Sequence, residues 1–187
     1  MAAGNTFGDL YKITTYGESH GKSIGVIIDG CPSGLKLDLK KIQQELDKRQ
    51  PGQSKITTQR KEDDKFEIHS GVYKGITLGT PIMIIVMNKN FDSSKYNNIR
   101  NKLRPGHADH TYQAKYEIRD ANGGGRSSAR ETIGRVLGGA IAKQVLNQYS
   151  HIKIIGYTAC VGGIEAIKRD FNFIEKNDLR CPDKTLY

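Results

Sequence analysis

Tryptophan is missing from these 187 residues, and cysteine occurs only three times. Cys31, Cys160 and Cys181 are far apart, odd in number and form no CxxC pair. That argues against a zinc site or a disulfide framework and suits a reducing compartment. Long apolar runs are also lacking: none nears membrane-spanning length, and the stretch from Met1 to Asn5 has neither the basic nor the apolar region of a signal peptide. The expectation is a cytoplasmic protein with no membrane partner. The apolar share, 36%, is low for a globular chain, so a tightly packed helical bundle is a poor fit.

Glycine and positive charge are plentiful, with 21 glycines and a formal charge of +9. The length allows one ordinary domain with a real core. Such a charge steers anions of every kind, so it does not by itself separate nucleic acid from a small phosphorylated metabolite. Glycine in this amount points to loops and backbone-lined sites.

Apolar patterning gives a coarse element order. Leu10–Thr15 alternates like a strand, and Ser23–Asp29 is a short apolar run typical of a buried one. Asp38 can cap a helix reaching about Lys48, with Leu39, Ile42 and Leu46 on one face. Phe66–Ser70 and Ile82–Met87 read as strands, Ala108–Tyr116 as a short helix, Ile133–Gln148 as a long one and Ile152–Val161 as a final strand. Phe91–Leu103 reads as irregular, and the segment 169–187 carries weak order signals. The sum is one α+β unit with antiparallel strands and a long central helix.

Chemistry concentrates in three places. Gly123-Gly124-Gly125-Arg126-Ser127-Ser128-Ala129-Arg130-Glu131-Thr132 precedes the long helix, whose start offers unpaired N–H groups and a positive dipole end. Gly17-Glu18-Ser19-His20-Gly21 lies between the first two strands and exposes a histidine suited to proton transfer near neutrality. In isolation, a turn histidine without chemical importance is an equally good reading. Arg104-Pro105-Gly106-His107-Ala108-Asp109-His110 places His107 near a helix start. His107, Asp109 and His110 have some ligand character, but no third strong ligand is placed by sequence and arginines crowd the region, so no metal is assigned. Cations recur in loops beside glycine or proline: Arg49, Lys55, Arg60, Arg104, Arg126 and Arg130. Together with the two histidines they outline a pocket for a multiply charged anion.

These motifs, with Ile27-Ile28-Asp29-Gly30-Cys31-Pro32, Arg49-Gln50-Pro51-Gly52, Thr57-Thr58-Gln59-Arg60 and Gly139-Ala140-Ile141, resemble in order and spacing the N-terminal half of the chorismate synthase family. The resemblance covers nearly all of residues 4 to 150. It implies an α+β fold of β-α-β sandwich type with central helices, incomplete here because the family is longer. The expected domain is residues 1–187 as the N-terminal portion of one unit, with 169–187 as its weakly ordered tail.

The implied activity is a lyase reaction of the shikimate pathway. Phosphate leaves 5-enolpyruvylshikimate 3-phosphate by anti 1,4-elimination to give chorismate, with reduced FMN required and NADPH a candidate reductant. By the same resemblance, His107 protonates the leaving phosphate and His20 places a proton near the flavin. Arg49, Arg104 and Arg130 hold the substrate, and Arg126, Ser127 and Ser128 form the flavin-binding stretch. Arg49 and Lys55 are candidate contacts for an NADP or substrate phosphate. Lys55 stands where the family usually has arginine; lysine keeps the charge and loses the bidentate fork. No role carries over to His110. The family also implies a homotetramer at full length and a small anionic phosphorylated substrate.

Two other classes compete with the lyase. One is a basic nucleic-acid-binding module, favoured by charge; it lacks the interleaved aromatics of an RNA-binding sheet and a DNA-reading helix, so no nucleic-acid partner is expected. The other is a non-catalytic remnant, since the family's C-terminal half contributes further contacts. The corresponding expectation is weak or no activity from these residues alone.

Overall fold

A computed structural model describes residues 4–50, 64–89 and 94–187. Lys55, Arg60 and most of the basic loop after Arg49 lie outside the described residues.

Five antiparallel strands form the main sheet in the order β1-β2-β3-β7-β4. These are β1 (Thr6–Phe7), β2 (Lys12–Gly17), β3 (Ser23–Asp29), β4 (Phe66–Ile68) and β7 (Ile82–Met87). Side chains alternate between the faces of a strand. The pairings Thr15↔Val26, Val26↔Ile84 and Ile68↔Ile84 therefore put those residues on one face. Ile24, Val26 and Ile28 of β3 and Ile82, Ile84 and Val86 of β7 are buried on that face. The opposite face is more open, with Ile27 and Met87 exposed. Two small hairpins complete the strands of the described residues: β5 (Val72–Tyr73) with β6 (Ile76–Thr77), and β8 (Cys160–Val161) with β9 (Ile164–Glu165).

Helices α1 (Leu39–Arg49) and α3 (Thr132–Tyr149) cover the buried face, and α2 (Asp109–Tyr116) sits apart from them. Asp38 caps α1 by accepting from the Lys41 amide at 3.1 Å. Ile42 and Leu46 enter the core; Leu39, in the first turn, stays exposed. Ile133, Leu137 and Ile141 of α3 are wholly buried. Glycines bring α3 close to the sheet. A Cβ at Gly134 would meet the Gly25 carbonyl oxygen at 2.7 Å, and one at Gly138 the Ile13 Cγ2 at 2.8 Å. Tyr11 reinforces this packing by donating to the Gly138 carbonyl at 2.8 Å. No helix of the described residues is long and apolar enough to cross a membrane.

The strand expected over Ile152–Val161 does not form. Only Cys160–Val161 is extended and paired, while Ile152, Ile154 and Ile155 remain exposed. β-branched composition favours a strand only where an edge is there to receive it, and among the described residues this segment has none. Ser94–Ile99, inside the stretch expected to be irregular, winds into a 3-10 turn. The segment 169–187 carries 3-10 turns at Ile174–Lys176 and Lys184–Leu186. Between them the buried Asn177 side chain exchanges hydrogen bonds with both the N–H and the C=O of Cys181 at 2.9 Å.

Candidate functional site

The loop between β2 and β3 begins at Gly17, whose φ of +89° and tight approach to the Ser23 carbonyl suit glycine alone. This turn brings His20 against the glycine-rich corner. A Cβ at Gly123 would fall 2.2 Å from His20 Nδ1, and Gly123 has a φ of +73°. Two motifs about a hundred residues apart in sequence therefore touch. The Ser19 amide donates to the Gly125 carbonyl at 3.2 Å, and Ser19 Oγ lies 3.1 Å from His20 Nδ1.

The third motif joins at the same glycine. Arg104 forks onto Asp109, with Nε to Oδ2 at 2.8 Å and Nη2 to Oδ1 at 2.9 Å, and Nη2 also donates to the Gly123 carbonyl at 2.8 Å. Asp109, almost fully buried, receives the Arg104 amide as well, and Arg119 stands 3.7 Å away. The Arg104 hydrogen bonds outweigh burial and hold the Asp109 carboxyl well below the usual carboxylate range. Asp109 is thus a brace for the loop. His107 stands exposed at the loop's tip, its Nδ1 3.3 Å from the Pro105 carbonyl. A carbonyl only accepts, so that contact places a proton on Nδ1 and leaves Nε2 to exchange protons with a ligand.

Arg126 turns inward. Nη1 donates to the Gly17 carbonyl at 3.0 Å, and Nη2 reaches the Thr15 hydroxyl at 2.7 Å and Glu131 Oε1 at 3.3 Å. Burial pushes the Glu131 carboxyl up, but the Thr15 hydroxyl at 2.6 Å, with Arg135 and Arg126, more than offsets this and leaves it below its ordinary value. The Arg126 terminal nitrogens therefore fasten the corner to the sheet. Ser127 is exposed, donating to the Gly124 carbonyl at 2.6 Å, while Ser128 Oγ accepts from the Arg130 amide at 3.3 Å.

Arg130 and Arg49 meet at a carboxylate that sequence patterning missed. Asp64, about 1% exposed, lies with Oδ1 3.0 Å from Arg130 Nη2 and Oδ2 3.7 Å from Arg49 Nη2. Asn88 was missed too. Its Nδ2 donates to the carbonyls of Glu18 at 3.0 Å and Gly21 at 2.8 Å, and its Oδ1 accepts from Arg130 Nε at 2.6 Å. A third omission, Tyr96, has the His20 ring edge-on at 5.2 Å and the Arg104 guanidinium 5.8 Å from its centroid. None of the three belongs to a glycine-rich or histidine-bearing motif, which is why patterning passed over them. The Asn88-Lys89 pair directly after the strongest strand was the available signal.

The structure therefore gathers His20, Arg104, Arg126 and Arg130, with Arg49 reached through Asp64. His107 shares the Arg104 loop, and His110 is exposed on α2. A cavity of about 750 Å³ lies elsewhere, between α1, α3 and the 152–156 segment, and touches none of these residues. A second, about 460 Å³, lies between α2 and the corner; Asp109, Arg119, Gly124 and Arg126 are among its lining residues.

The fold is thus an α+β scaffold on which loop arginines and a histidine converge at a glycine-rich corner, a cationic arrangement of the kind that suits anions. The comparisons with known proteins make the assignment specific. The chorismate synthase family model matches residues 11–187, and the chain belongs to that family. It is 58% identical over 184 residues to chorismate synthase of Trichodesmium erythraeum, covering 96% of this chain and 50% of that protein. Against chorismate synthase of Methanococcoides burtonii it is 55% identical over 184 residues, with 96% and 50% covered. A crystal structure of chorismate synthase superposes with a TM-score of 0.70 at 30% identity, covering 95% of this chain and 50% of that one. The chain thus spans about half the length of the curated relatives it matches.

Proposed function

We propose that this chain supplies the N-terminal part of a lyase site that eliminates phosphate from 5-enolpyruvylshikimate 3-phosphate to give chorismate. Family membership supports the reading, and the observation that carries it is the meeting of His20, Arg104 and the corner at Gly123. Ejecting phosphate requires cations and a proton donor at the departing oxygens in a preorganised site. Arg130 and Arg49 are the proposed phosphate and carboxylate contacts. Arg104 contributes through Nη1, because Nε and Nη2 are engaged by Asp109 and Gly123. His107, protonated at Nε2, donates to the leaving oxygen, and His20 holds a proton beside the corner.

The residues present fit part of a flavin mononucleotide. The Ser127 hydroxyl is exposed at the corner, whereas both terminal nitrogens of Arg126 are directed into the protein. Ser127, Ser128 and the neighbouring backbone are therefore the proposed contacts, and Arg126 acts by fixing their position. Reduced FMN, when bound, supplies electron density to the breaking C–O bond and a base for the departing proton. NADPH is the proposed reductant and a homotetramer the proposed full-length assembly.

The test is anaerobic addition of 5-enolpyruvylshikimate 3-phosphate to the purified chain with reduced FMN. The flavin absorbance is expected to shift at saturating substrate, with chorismate formation weak or absent. A flat flavin spectrum would remove the binding roles. Detectable chorismate formation would instead refute the dependence on the rest of the full-length site.

A further inference from the structure

Asn88 sits where two parts of the site have to be held in a fixed relation. Its partners determine how the amide is turned. The carbonyls of Glu18 and Gly21 only accept, so they require the NH2 end; Arg130 Nε–H only donates, so it requires the oxygen. All three bonds form in one rotamer, and none survives exchange of the amide nitrogen and oxygen. The two carbonyls flank Ser19 and His20 on either side, so the NH2 end clasps the turn that carries the histidine. The Asn88 amide N–H adds a bond to the Lys22 carbonyl at 3.1 Å, which ties the backbone of the strand end to the same turn. On the other side, the 2.6 Å bond to Nε fixes one edge of the Arg130 guanidinium, while Asp64 Oδ1 lies 3.0 Å from Nη2 as an ion pair.

We propose that Asn88 is a positioning residue that sets the angle of the Arg130 guanidinium relative to His20. The inference rests on the anion-binding reading of Arg130 given above. A planar fork binds a phosphate or carboxylate well in few orientations, so a guanidinium released to rotate keeps its charge and loses much of its selectivity. Asn88 touches no reacting atom; it acts through the arginine and through the histidine turn. Aspartate at this position keeps the acceptor for Arg130 but sets a carboxylate oxygen against two carbonyls. Alanine removes both halves.

The experiment uses the 187-residue chain labelled with 15N. A hydrogen-bonded, buried arginine gives a resolved, slowly exchanging Nε–H signal. In the wild type the Arg130 signal, assigned by its loss in Arg130→Lys, is expected. In Asn88→Ala it should vanish or exchange at least about tenfold faster, and titration with inorganic phosphate should show roughly tenfold weaker binding, the scale of one lost hydrogen bond to a charged group. Asn88→Asp should keep the Nε–H signal while the His20 ring resonances broaden or move. This second variant carries the test if the alanine form does not fold. An unchanged Arg130 signal in Asn88→Ala, or unchanged His20 resonances in Asn88→Asp, overturns the coupling. A wild type that binds no phosphate yet shows the expected Nε–H pattern overturns the anion-site reading and supports the coupling.

Discussion

Arg126 works chiefly as a fastener, and its side chain shows why. Arg126 ties the Gly17 carbonyl, the Thr15 hydroxyl and Glu131 together at the edge of the core. Arg126→Ala would leave Glu131 without that partner and is expected to cost about 2–3 kcal/mol of stability in urea unfolding. A loss under half a kcal/mol would mean the inward contacts contribute little. The Asp109 brace predicts a pH signature. Its carboxyl is held below the ordinary aspartate value of about 3.9, so its stabilisation is complete at neutral pH and fades as pH falls below about 4. Asp109→Asn should therefore unfold at lower urea than the wild type at pH 7, with the gap starting to narrow as pH falls from about 4 towards 3. A gap independent of pH would refute the brace. The motif residues His20, Arg104 and Arg130 were legible because glycine and proline mark their loops. Asp64 and Asn88 were not, since their importance comes from partners far away in sequence.

The helix α3 shows how one element holds the site in place. Its buried stripe was readable from Ile133, Leu137 and Ile141, but the glycines between them look like helix weakeners until the sheet is set beside them. At Gly134 a methyl group would strike backbone, so Gly134→Ala should cost about 1–3 kcal/mol despite its better helix propensity. Gly139 faces open space, and there the same change should stabilise by about 0.5–1 kcal/mol. Thermal unfolding of the pair checks both signs, and equal effects would show that α3 does not press on β2 and β3. The strands Ser23–Asp29 and Ile82–Met87 were legible to the residue because both are continuous apolar runs. The Ile152–Val161 expectation failed for a reason no local pattern contains: extended backbone needs a neighbour.

At the scale of the molecule, one apolar stretch stays uncovered among the described residues. Ile152, Ile154 and Ile155 are exposed side by side in a β-prone stretch with little charge and no partner strand among the described residues. Segments of this kind recruit copies of themselves by edge-to-edge strand addition. The purified chain should scatter light increasingly with concentration, and Ile154→Lys should suppress this without moving the urea midpoint. Scattering that ignores the lysine would locate the adhesive surface elsewhere. For anyone preparing the protein, suppression by the lysine would mean that shelf life in solution is set by three isoleucines remote from the glycine-rich corner, and that one gatekeeper substitution decides whether concentrated samples stay clear long enough to test the arginines.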